Sequence, residues 1–285
     1  MISEKQFSKE IDLIIANAIR EDVGEGDHSS LACIPDDAMG KAKLLVKDSG
    51  IIAGLDFAKE VFHFVDPGLK IDIKYKDGDA VKYGDVCFYV SGLSQSILKS
   101  ERLVLNAMQR MSAIATKTNE FVQLLAGSGT KILDTRKTTP GIRALEKWAV
   151  KIGGGENHRF GLYDMVMLKD NHIDFCGGIT KAIATTKSYL KTSRLDLKII
   201  IEARSLREIE EILKSDGVYR ILIDNFNYED TRRAVKLIGD KCLTESSGGI
   251  TLDTVRKYAD CGVDYISSGA LTHSVYNMDL SLKAV

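Results

Sequence analysis

Apolar side chains recur at helical spacing near the start of the chain. They follow Ser3 and Gln6, a pair with the spacing of a helix-capping box. A period of three to four residues predicts one amphipathic helix with a single buried face. A loop is expected over residues 21–27, where charged residues and glycines replace the apolar ones. The residues of the predicted buried face are Phe7, Ile11, Ile14, Ile15 and Ala18.

Short strands, helices and tight turns alternate in the rest of the first part of the chain. The run Lys76-Asp77-Gly78-Asp79 contains a turn of the Asp-Gly type between two strands. Such a mixture, without a repeating strand-helix unit, favours an α+β sandwich. The predicted strands cover residues 41–47, 70–75 and 86–90, and the predicted helices cover residues 56–64 and 94–126.

The pattern changes from residue 131 onward, where short apolar runs alternate regularly with segments of helical periodicity. Runs that are apolar on both faces favour a parallel sheet covered by helices. Six such units in about 140 residues fit a compact barrel better than an open doubly wound sheet. No Gly-x-Gly-x-x-Gly fingerprint follows any of the runs, which argues against a dinucleotide-binding fold. The six predicted strands cover residues 131–134, 165–168, 197–202, 220–224, 242–245 and 263–267.

Polar side chains follow these strands at the point where each strand ends. Because the carboxyl ends of barrel strands converge on one mouth, where barrel enzymes place their active sites, we expect these side chains to share a site. In chain order they are Asp134-Thr135-Arg136-Lys137, Lys169-Asp170-Asn171-His172, Glu202, Asp224-Asn225, Glu245-Ser246-Ser247-Gly248-Gly249 and Ser267-Ser268-Gly269.

Positive charge is concentrated around the first of these strand ends. Between Lys131 and Lys169 there are eight Lys or Arg residues against four Asp or Glu. Several cations at one mouth predict an anionic ligand that neutralises them, although any one of them alone could be a solvated surface charge. The planar forks of Arg136 and Arg159 suit carboxylates or phosphates, whereas Lys137 and Lys169 act as point charges.

Two loops of small residues lead into the last two predicted helices. Ser247-Gly248-Gly249 and Ser268-Gly269-Ala270 expose backbone N–H groups that could hold a phosphate, and a plain tight turn is the alternative for each. The last two loops of a barrel are the usual phosphate position. Glu202 and Asp224 lie on neighbouring strands and predict Mg²⁺ held partly through water, or contacts with ribose hydroxyls. Local pairing of each with a Lys or Arg is the alternative.

Composition narrows the class of protein. The chain is 44% hydrophobic and 28% charged, which excludes collagen-like and disordered classes. Its net charge of -1 argues against a general nucleic-acid partner. No apolar run approaches the ~20 residues that cross a bilayer, and the start resembles neither a signal peptide nor a transit peptide. Five dispersed cysteines without a Cys-x-x-Cys pair are typical of reduced thiols, so we expect a cytoplasmic protein with no membrane partner.

Eight motifs, in order along almost the whole chain, resemble one family, the quinolinate phosphoribosyltransferases, which are type II phosphoribosyltransferases. The resemblance implies an N-terminal α/β sandwich over residues 1–110 joined to an incomplete parallel α/β barrel over residues 111–273. Residues 274–285 are expected to pack back on the N-terminal domain. The motifs are Glu101-Arg102 with Leu105-Asn106, Ala113-Ile114-Ala115-Thr116, Asp134-Thr135-Arg136-Lys137-Thr138-Thr139-Pro140-Gly141, Gly153-Gly154-Gly155-Glu156-Asn157-His158-Arg159, Leu168-Lys169-Asp170-Asn171-His172, Ile223-Asp224-Asn225, Ser247-Gly248-Gly249-Ile250 and Gly269-Ala270-Leu271-Thr272-His273-Ser274.

The resemblance implies a reaction and a set of site residues. Quinolinate and phosphoribosyl pyrophosphate would give nicotinate mononucleotide, pyrophosphate and CO₂, with Mg²⁺, in NAD biosynthesis. The resemblance assigns roles by motif as follows: Arg136, His158 and Arg159 bind the quinolinate carboxylates; Lys137, Lys169 and His273 contact the phosphates or the leaving pyrophosphate; Glu202 and Asp224 hold the ribose and Mg²⁺; and Ser247, Gly248, Gly249, Ser268, Gly269 and Ala270 surround the 5′-phosphate.

The same resemblance predicts a homodimer in which Arg102 reaches the partner's barrel mouth, and leaves open whether dimers assemble into a hexamer. An ordinary surface arginine is the alternative for Arg102. Leu103, Leu105, Met108 and Met111 on the same helix are expected to need a cover, which would favour the dimer.

Two departures from the family pattern and two other functions bear on this reading. The N-terminal Gly-Asp-x-Thr-Ser pattern ends in Ser29-Ser30 here, and Ile200 stands where the family shows a first glutamate before Glu202.

A lyase with a Schiff base on Lys137 or Lys169 is one alternative, and a non-catalytic binder of phosphorylated ligands is the other. A related branch found with molybdate transport is disfavoured because Lys169-Asp170-Asn171-His172 is intact.

Overall fold

The computed structural model describes residues 3–285, so the first two residues of the predicted N-terminal domain lie outside the described range. Within that range twelve strands form. They are β1 (Met39–Val46), β2 (Gly50–Ile51), β3 (Lys70–Ile73), β4 (Ala80–Val81), β5 (Val86–Leu93), β6 (Lys131–Leu133), β7 (Val166–Leu168), β8 (Ile199–Ala203), β9 (Arg220–Asp224), β10 (Leu243–Ser247), β11 (Tyr265–Ser267) and β12 (Leu280–Ala284).

The helices of the same range connect and cover these strands. None of the described helices is both long enough and apolar enough to cross a membrane. They are α1 (Glu4–Val23), α2 (His28–Cys33), α3 (Leu55–Val65), α4 (Ser94–Leu125), α5 (Arg143–Ile152), α6 (Asp170–Cys176), α7 (Ile179–Thr192), α8 (Leu206–Ile212), α9 (Tyr228–Ile238), α10 (Leu252–Ala259) and α11 (Ala270–His273).

The chain divides into two compact units. The sandwich unit comprises Ile2–Asn119, Thr138–Gly154 and Leu271–Val285, and the barrel unit comprises Glu120–Lys137 and Gly155–Ala270. The sandwich unit contains a four-stranded antiparallel sheet in the order β12-β1-β5-β3, and the barrel unit contains a six-stranded parallel sheet. The predicted combination of an α+β part with a parallel α/β part is therefore confirmed.

The core of the sandwich unit forms where the antiparallel sheet meets the amphipathic helices. Phe62 of α3 and Phe88 of β5 are fully buried and pack edge to face, with ring centroids 5.8 Å apart. The first helix begins as predicted, because the Ser3 hydroxyl accepts the backbone N–H of Gln6 at 3.2 Å. Ile11, Ile14 and Ile15 form its buried face.

The segment after the first helix differs from the predicted loop. The helix continues to Val23, three residues into the predicted loop, and after residues 24–27 a short helix, α2, begins at His28. Asp27 begins α2, since its carboxylate accepts the backbone N–H of Ser30 at 3.2 Å and the hydroxyl of Ser30 at 2.5 Å. These hydrogen bonds lower the pKa of Asp27. The glycines and charged residues of this segment predicted a loop throughout, whereas Asp27 and Ser30 form the N-terminal cap of a helix.

The parallel sheet of the barrel unit is open between its first two strands in chain order. Its order is β6-β11-β10-β9-β8-β7, so β6 and β7 are the two edges. The free side of β6 pairs instead with Glu156: the Glu156 N–H donates to Ile132 O at 2.9 Å, and the Asp134 N–H donates to Glu156 O at 3.1 Å. The barrel is therefore incomplete, and the segment around Glu156 runs beside the end of β6.

One face of the parallel sheet is concave and carries the polar residues. The Arg220 guanidinium of β9 lies 4.1 Å from the ring centroid of Tyr265 on β11, two strands away, which the concave side of a curled sheet allows. Side chains alternate between faces, so the pairing registers assign the other members of this inner face. They are Met167, Ile200, Glu202, Leu222, Asp224, Glu245, Ser247 and Ser267.

Candidate functional site

The carboxyl ends of β7, β8 and β9 bring two carboxylates and a lysine together. Glu202 and Asp224 lie on the inner face of neighbouring strands, and Lys169 follows β7 directly. Burial raises the pKa of Glu202 to about 7; the charge of Asp224 adds to the increase, and the charge of Lys169 opposes it. Two adjacent carboxylates repel each other, so this corner of the barrel favours a ligand that brings positive charge.

Replacing Glu202 by glutamine should stabilise the fold at pH 8 and leave it unchanged near pH 4. The folded pKa of about 7 exceeds the usual 4.5, so stability is lost as pH rises from about 4.5 to 7. After allowance for solvent screening, the gain at pH 8 is about 1 kcal/mol. Thermal unfolding with a chelator present measures it, and Glu229→Gln, an exposed carboxylate on α9, is the matched control. An equal rise of the melting temperature at both pH values would show that ionisation is not the cause.

Two arginines lie close together near the end of β6. Arg159 is buried, with 7% of its surface exposed, and its Nη1 donates to Met165 O at 3.3 Å. Burial lowers the pKa of the Arg159 guanidinium, the nearby charge of Arg136 lowers it further, and Asp164 acts in the opposite direction. Desolvation and a neighbouring cation both disfavour the charge on Arg159, so an anion that contacts both arginines would be held strongly.

Asp134 holds the segment around residue 158, which carries the buried Arg159, by hydrogen bonds. This aspartate is fully buried at the end of β6, and it accepts the backbone N–H of His158 at 2.8 Å and the side-chain amide of Asn157 at 2.7 Å. His158 in turn accepts the backbone N–H of Arg159 at its Nδ1, at 2.7 Å. The predicted strand-end aspartate thus holds the loop that positions Arg159.

The two loops of small residues lie against each other. The Ser268 hydroxyl donates to Ile250 O at 3.1 Å, and the Ser268 N–H donates to Leu133 O at 3.1 Å. These bonds tie the β11–α11 loop, with Gly269 and Ala270, to the β10–α10 loop and to the end of β6. The two predicted phosphate loops are therefore adjacent in the barrel unit.

Gly248 cannot be replaced by a larger residue without displacing Asn225. Its φ is +99°, and an added Cβ would lie 2.2 Å from Asn225 Oδ1. Asn225 itself has a φ of +56°, donates its N–H to Ser247 O at 2.9 Å, and donates its Nδ2 to Asp224 Oδ2 at 2.7 Å. The close approach links the Ser247-Gly248-Gly249 loop directly to the carboxylate pair.

A buried ion pair also occupies the inner face of the barrel, and the sequence pattern did not predict it. Glu245 was expected at a strand end, but β10 continues to Ser247 and Glu245 is fully buried at the centre of the strand. Its Oε2 accepts Arg220 Nη1 at 2.6 Å, and Arg220 is itself buried. The available signal was two opposite charges at inner-face positions of neighbouring strands.

Ile200, which stands where the family pattern has a glutamate, is surrounded by side chains of the inner face. Ile200 is fully buried in an apolar cluster with Met167 and Leu222 on the inner face. The strand register also places Ile200 opposite Arg220, whose guanidinium is already paired with Glu245. In this chain the buried arginine therefore has its carboxylate partner on β10, and position 200 is apolar.

The structure places the remaining predicted residues in two different units. Lys137, in the barrel unit, is exposed next to Arg136, and its N–H donates to Thr135 Oγ1 at 3.0 Å. Arg102 and His273 belong to the sandwich unit. Arg102 is exposed on α4, and His273 ends α11, where its Nδ1 lies 2.7 Å from the Ser274 hydroxyl.

The argument for a dimer from the apolar residues beside Arg102 is wrong. Leu105, Met108 and Met111 are already buried within the single chain. The backbone at Gly54 lies against Met108 and Met111, so the sandwich unit itself supplies the cover. Leu103, the fourth residue of that prediction, is half-buried, and Arg102 is exposed.

Glu146 is a third fully buried carboxylate, and the sequence pattern did not single it out. It accepts Arg110 Nε at 3.0 Å and Nη2 at 2.8 Å, and it accepts the Thr139 N–H at 3.0 Å and hydroxyl at 2.8 Å. Arg110 also donates to Thr272 O. Thr139 and Thr272 belong to two of the family motifs, so one carboxylate and one arginine hold both segments.

Comparison with known proteins identifies relatives along nearly the whole chain. The family description "Quinolinate phosphoribosyl transferase, N-terminal domain" matches residues 27–112, and its C-terminal counterpart matches residues 114–283. A chloroplastic nicotinate-nucleotide pyrophosphorylase (carboxylating) of Oryza sativa subsp. japonica is 44% identical, over 95% of this chain and 76% of its own length. A probable enzyme of the same name from Bacillus subtilis is 41% identical, over 92% of this chain and 89% of its own length.

Solved structures show the same fold. The structure of NadC from Streptococcus pyogenes covers 100% of this chain and 99% of its own, with 37% sequence identity and a TM-score of 0.90. The nicotinate-nucleotide pyrophosphorylase of Francisella tularensis covers 97% of this chain and 96% of its own, with 35% identity and a TM-score of 0.89.

Proposed function

Because this chain belongs to the quinolinate phosphoribosyltransferase family, we propose that it makes nicotinate mononucleotide from quinolinate and phosphoribosyl pyrophosphate. Pyrophosphate and CO₂ are the other products, and the reaction serves NAD biosynthesis. The observation that carries the proposal is the pair formed by buried Arg159 and exposed Arg136, whose positive charges interact, because quinolinate has two carboxylates for two guanidinium groups.

The proposed chemistry has two stages. The pyridine nitrogen of quinolinate forms a bond to C1′ of the ribose, the C1′–O bond breaks, and pyrophosphate leaves with the electron pair. The carboxyl group beside the ring nitrogen then leaves as CO₂, and the electron pair left on that ring carbon takes up a proton. Developing positive charge on the ribose is stabilised by nearby carboxylates, which is the role proposed for Glu202 and Asp224.

Most of the catalytic effect would come from orientation and charge. Arg136 and Arg159 hold the carboxylates, Lys137 and Lys169 neutralise the leaving pyrophosphate, and the adjacent small-residue loops hold the 5′-phosphate. The sandwich-unit residues Arg102 and His273 are proposed to contribute further cationic contacts. His158 is buried directly before Arg159, and it is proposed to bind the same carboxylates, as the family resemblance implies.

We propose Mg²⁺ as the cofactor. The donor set fits, because Glu202 and Asp224 supply carboxylate oxygens, the kind of ligand that Mg²⁺ prefers. Burial and the repulsion by Asp224 raise the pKa of Glu202, and an ion would relieve that repulsion. No cluster of three or more potential protein ligands exists among residues 3–285, which suits an ion that completes its shell with substrate phosphates and water. The ion would supply charge that neutralises pyrophosphate as it leaves.

Two broader proposals concern assembly and location. A homodimer with Arg102 shared between subunits is supported by the exposure of Arg102 and by its motif. A cytoplasmic location is supported by the five free cysteines, while the Oryza relative is described as chloroplastic.

The purified chain should turn over quinolinate at least about a hundredfold faster than nicotinate. Nicotinate has one carboxylate, so it would leave one of the two arginines without an anion, which costs several kcal/mol. Both reactions are followed by the amounts of nucleotide and pyrophosphate that they form. The Lys169→Ala variant is the inactive control. Comparable turnover of nicotinate would contradict the proposal that Arg136 and Arg159 together bind the two carboxylates of quinolinate. Quinolinate binding without product would favour a sensor, and a borohydride-trapped lysine adduct would favour a lyase.

A further inference from the structure

The residue that follows Asp224 has a strained backbone conformation. Asn225 has a φ of +56°, in the left-handed region, and within residues 3–285 Arg194 is the one other non-glycine residue with a positive φ. A side chain with a Cβ is strained in this conformation, although asparagine tolerates it better than most residues do. Such strain persists where surrounding contacts hold the residue, and it is concentrated at functional sites.

The loop after β10 holds Asn225 through both its backbone and its side chain. The Asn225 N–H donates to Ser247 O at 2.9 Å, directly beyond the last residue pair of β9 and β10, Asp224 and Ser247. The side-chain oxygen of Asn225 lies against Gly248, where any side chain at residue 248 would overlap it. The Ser247-Gly248-Gly249 loop therefore fixes the position of the Asn225 amide group.

The other end of the same amide group holds Asp224. Asn225 Nδ2 donates to Asp224 Oδ2 at 2.7 Å. The nitrogen must be the atom on this side, because an amide oxygen cannot donate a hydrogen bond to a carboxylate. A hydrogen bond to a charged acceptor is stronger than one between neutral groups. One oxygen of Asp224 is thus engaged by the protein, and the carboxylate is oriented before a ligand binds.

We propose that Asn225 is a positioning residue, whose amide holds the Asp224 carboxylate in the orientation that binds the ribose of phosphoribosyl pyrophosphate. The proposal rests on the proposed function, because that substrate is the ligand for which Asp224 is held. Glu202 on the neighbouring strand repels Asp224, so without the amide the carboxylate would be free to turn away. Orientation before binding reduces the ordering cost when the substrate arrives.

Three substitutions separate the amide group from the backbone conformation. Glycine adopts a positive φ freely, and aspartate tolerates it as asparagine does, so Asn225→Gly and Asn225→Asp keep the backbone but lose the amide donor. Asn225→Ala loses the donor and is also strained. We expect all three to raise the KM for phosphoribosyl pyrophosphate on the order of tenfold to a hundredfold, and the KM for quinolinate clearly less. The melting temperature should fall more in Asn225→Ala than in Asn225→Gly.

A role of the backbone alone would give a different order of effects. If Asn225 were needed only for its left-handed conformation, Asn225→Gly would keep the original KM for phosphoribosyl pyrophosphate and Asn225→Ala would not. That result would overturn the proposal. An equal rise of both KM values in Asn225→Gly would also overturn it, because it would indicate general damage to the barrel mouth.

Asn227→Gly is the matched control. Asn227 Nδ2 donates to Asp230 Oδ2 at 2.8 Å, which is the same kind of contact two residues further along the chain. Asn227 precedes the first turn of α9, where glycine replaces an asparagine cap at small cost. Asp230 has no part in the proposed site, so Asn227→Gly should change neither KM. A rise of the KM for phosphoribosyl pyrophosphate as large as that in Asn225→Gly would show that the effect is not specific to Asp224, and would overturn the proposal.

The contact between Asn225 and Asp224 can be tested without any substrate. In the ¹H–¹⁵N spectrum of the unmodified chain, the Asn225 side-chain amide is assigned by its loss in Asn225→Asp. Its two protons should give widely separated signals, because one of them is donated to a carboxylate, and Asp224→Ala should bring them closer together. Signals that Asp224→Ala leaves unchanged would overturn the proposal. Because this readout does not need turnover, a chain that forms no product from quinolinate would remove the proposed function, while the spectrum still decides whether Asn225 holds Asp224.

Discussion

Arg136→Ala is expected to remove most of the activity with quinolinate while the melting temperature stays within a few degrees of the original. Loss of a bidentate contact between charged groups costs roughly 2–5 kcal/mol, which corresponds to a fall in kcat/KM of about 30-fold to several thousandfold. Arg136 is exposed, and its charge disfavours that of its neighbour Arg159, so the fold does not depend on it. Steady-state kinetics and thermal unfolding are the two measurements.

The matched control is Arg233→Ala. Arg233 is an exposed arginine of the same unit, on α9, where it pairs with Glu229 at 2.9 Å and Asp230 at 3.5 Å. Surface pairs of this kind contribute little, so its removal should change neither kinetics nor stability appreciably. A large fall in the melting temperature of Arg136→Ala, with kinetics changed only in proportion, would mean that Arg136 is a structural residue.

Two inactive variants, Arg102→Ala and Lys169→Ala, should recover activity when their subunits exchange. In a mixed dimer the barrel with intact Lys169 meets the partner with intact Arg102, so one of two sites is restored. Random exchange makes half of the dimers mixed, and the mixture should therefore reach about one quarter of the original activity. Arg102 is exposed on α4 and available for such a contact.

Mixing Lys169→Ala with Arg136→Ala provides the control, because both substitutions lie in the barrel unit. Each barrel of that mixed dimer lacks one of its own residues, and no activity should return. Differently tagged subunits, separated after mixing, report whether mixed dimers form. Mixed dimers of Arg102→Ala and Lys169→Ala that form and stay inactive would place the action of Arg102 within its own chain.

Local patterns along the sequence were sufficient to predict most of the elements and the edge of the sheet at which the candidate site residues lie. The sequences of β8 and β9 are short runs with apolar residues on both faces, and that pattern is typical of strands covered by helices on both sides. The charged and small residues that follow them then mark the carboxyl edge of the sheet. Arg136, Lys169, Glu202 and Asp224 were predicted in this way, and Arg159 was predicted from the concentration of positive charge between residues 131 and 169.

The boundaries were less predictable where a cap or a continuing strand was hidden by polar residues. The helix α1 continues through three residues that were predicted as loop, and β10 continues two residues beyond Glu245. Glu245 therefore lies at the centre of a strand rather than at its end. A charged residue can lie in the middle of a buried strand when an opposite charge inside the barrel pairs with it. Arg220 supplies the opposite charge for Glu245.

The sequence by itself determined the fold class, the order of the elements and the types of residue at the barrel mouth, because these follow from local periodicity and from motifs that are continuous in the chain. Only the tertiary structure decided which charges face each other. The pairing of Glu245 with Arg220 spans 25 residues, and that of Glu146 with Arg110 spans 36. Such pairs depend on strand register and on burial, which raises the energy of an unpaired charge, and neither is visible in the local pattern.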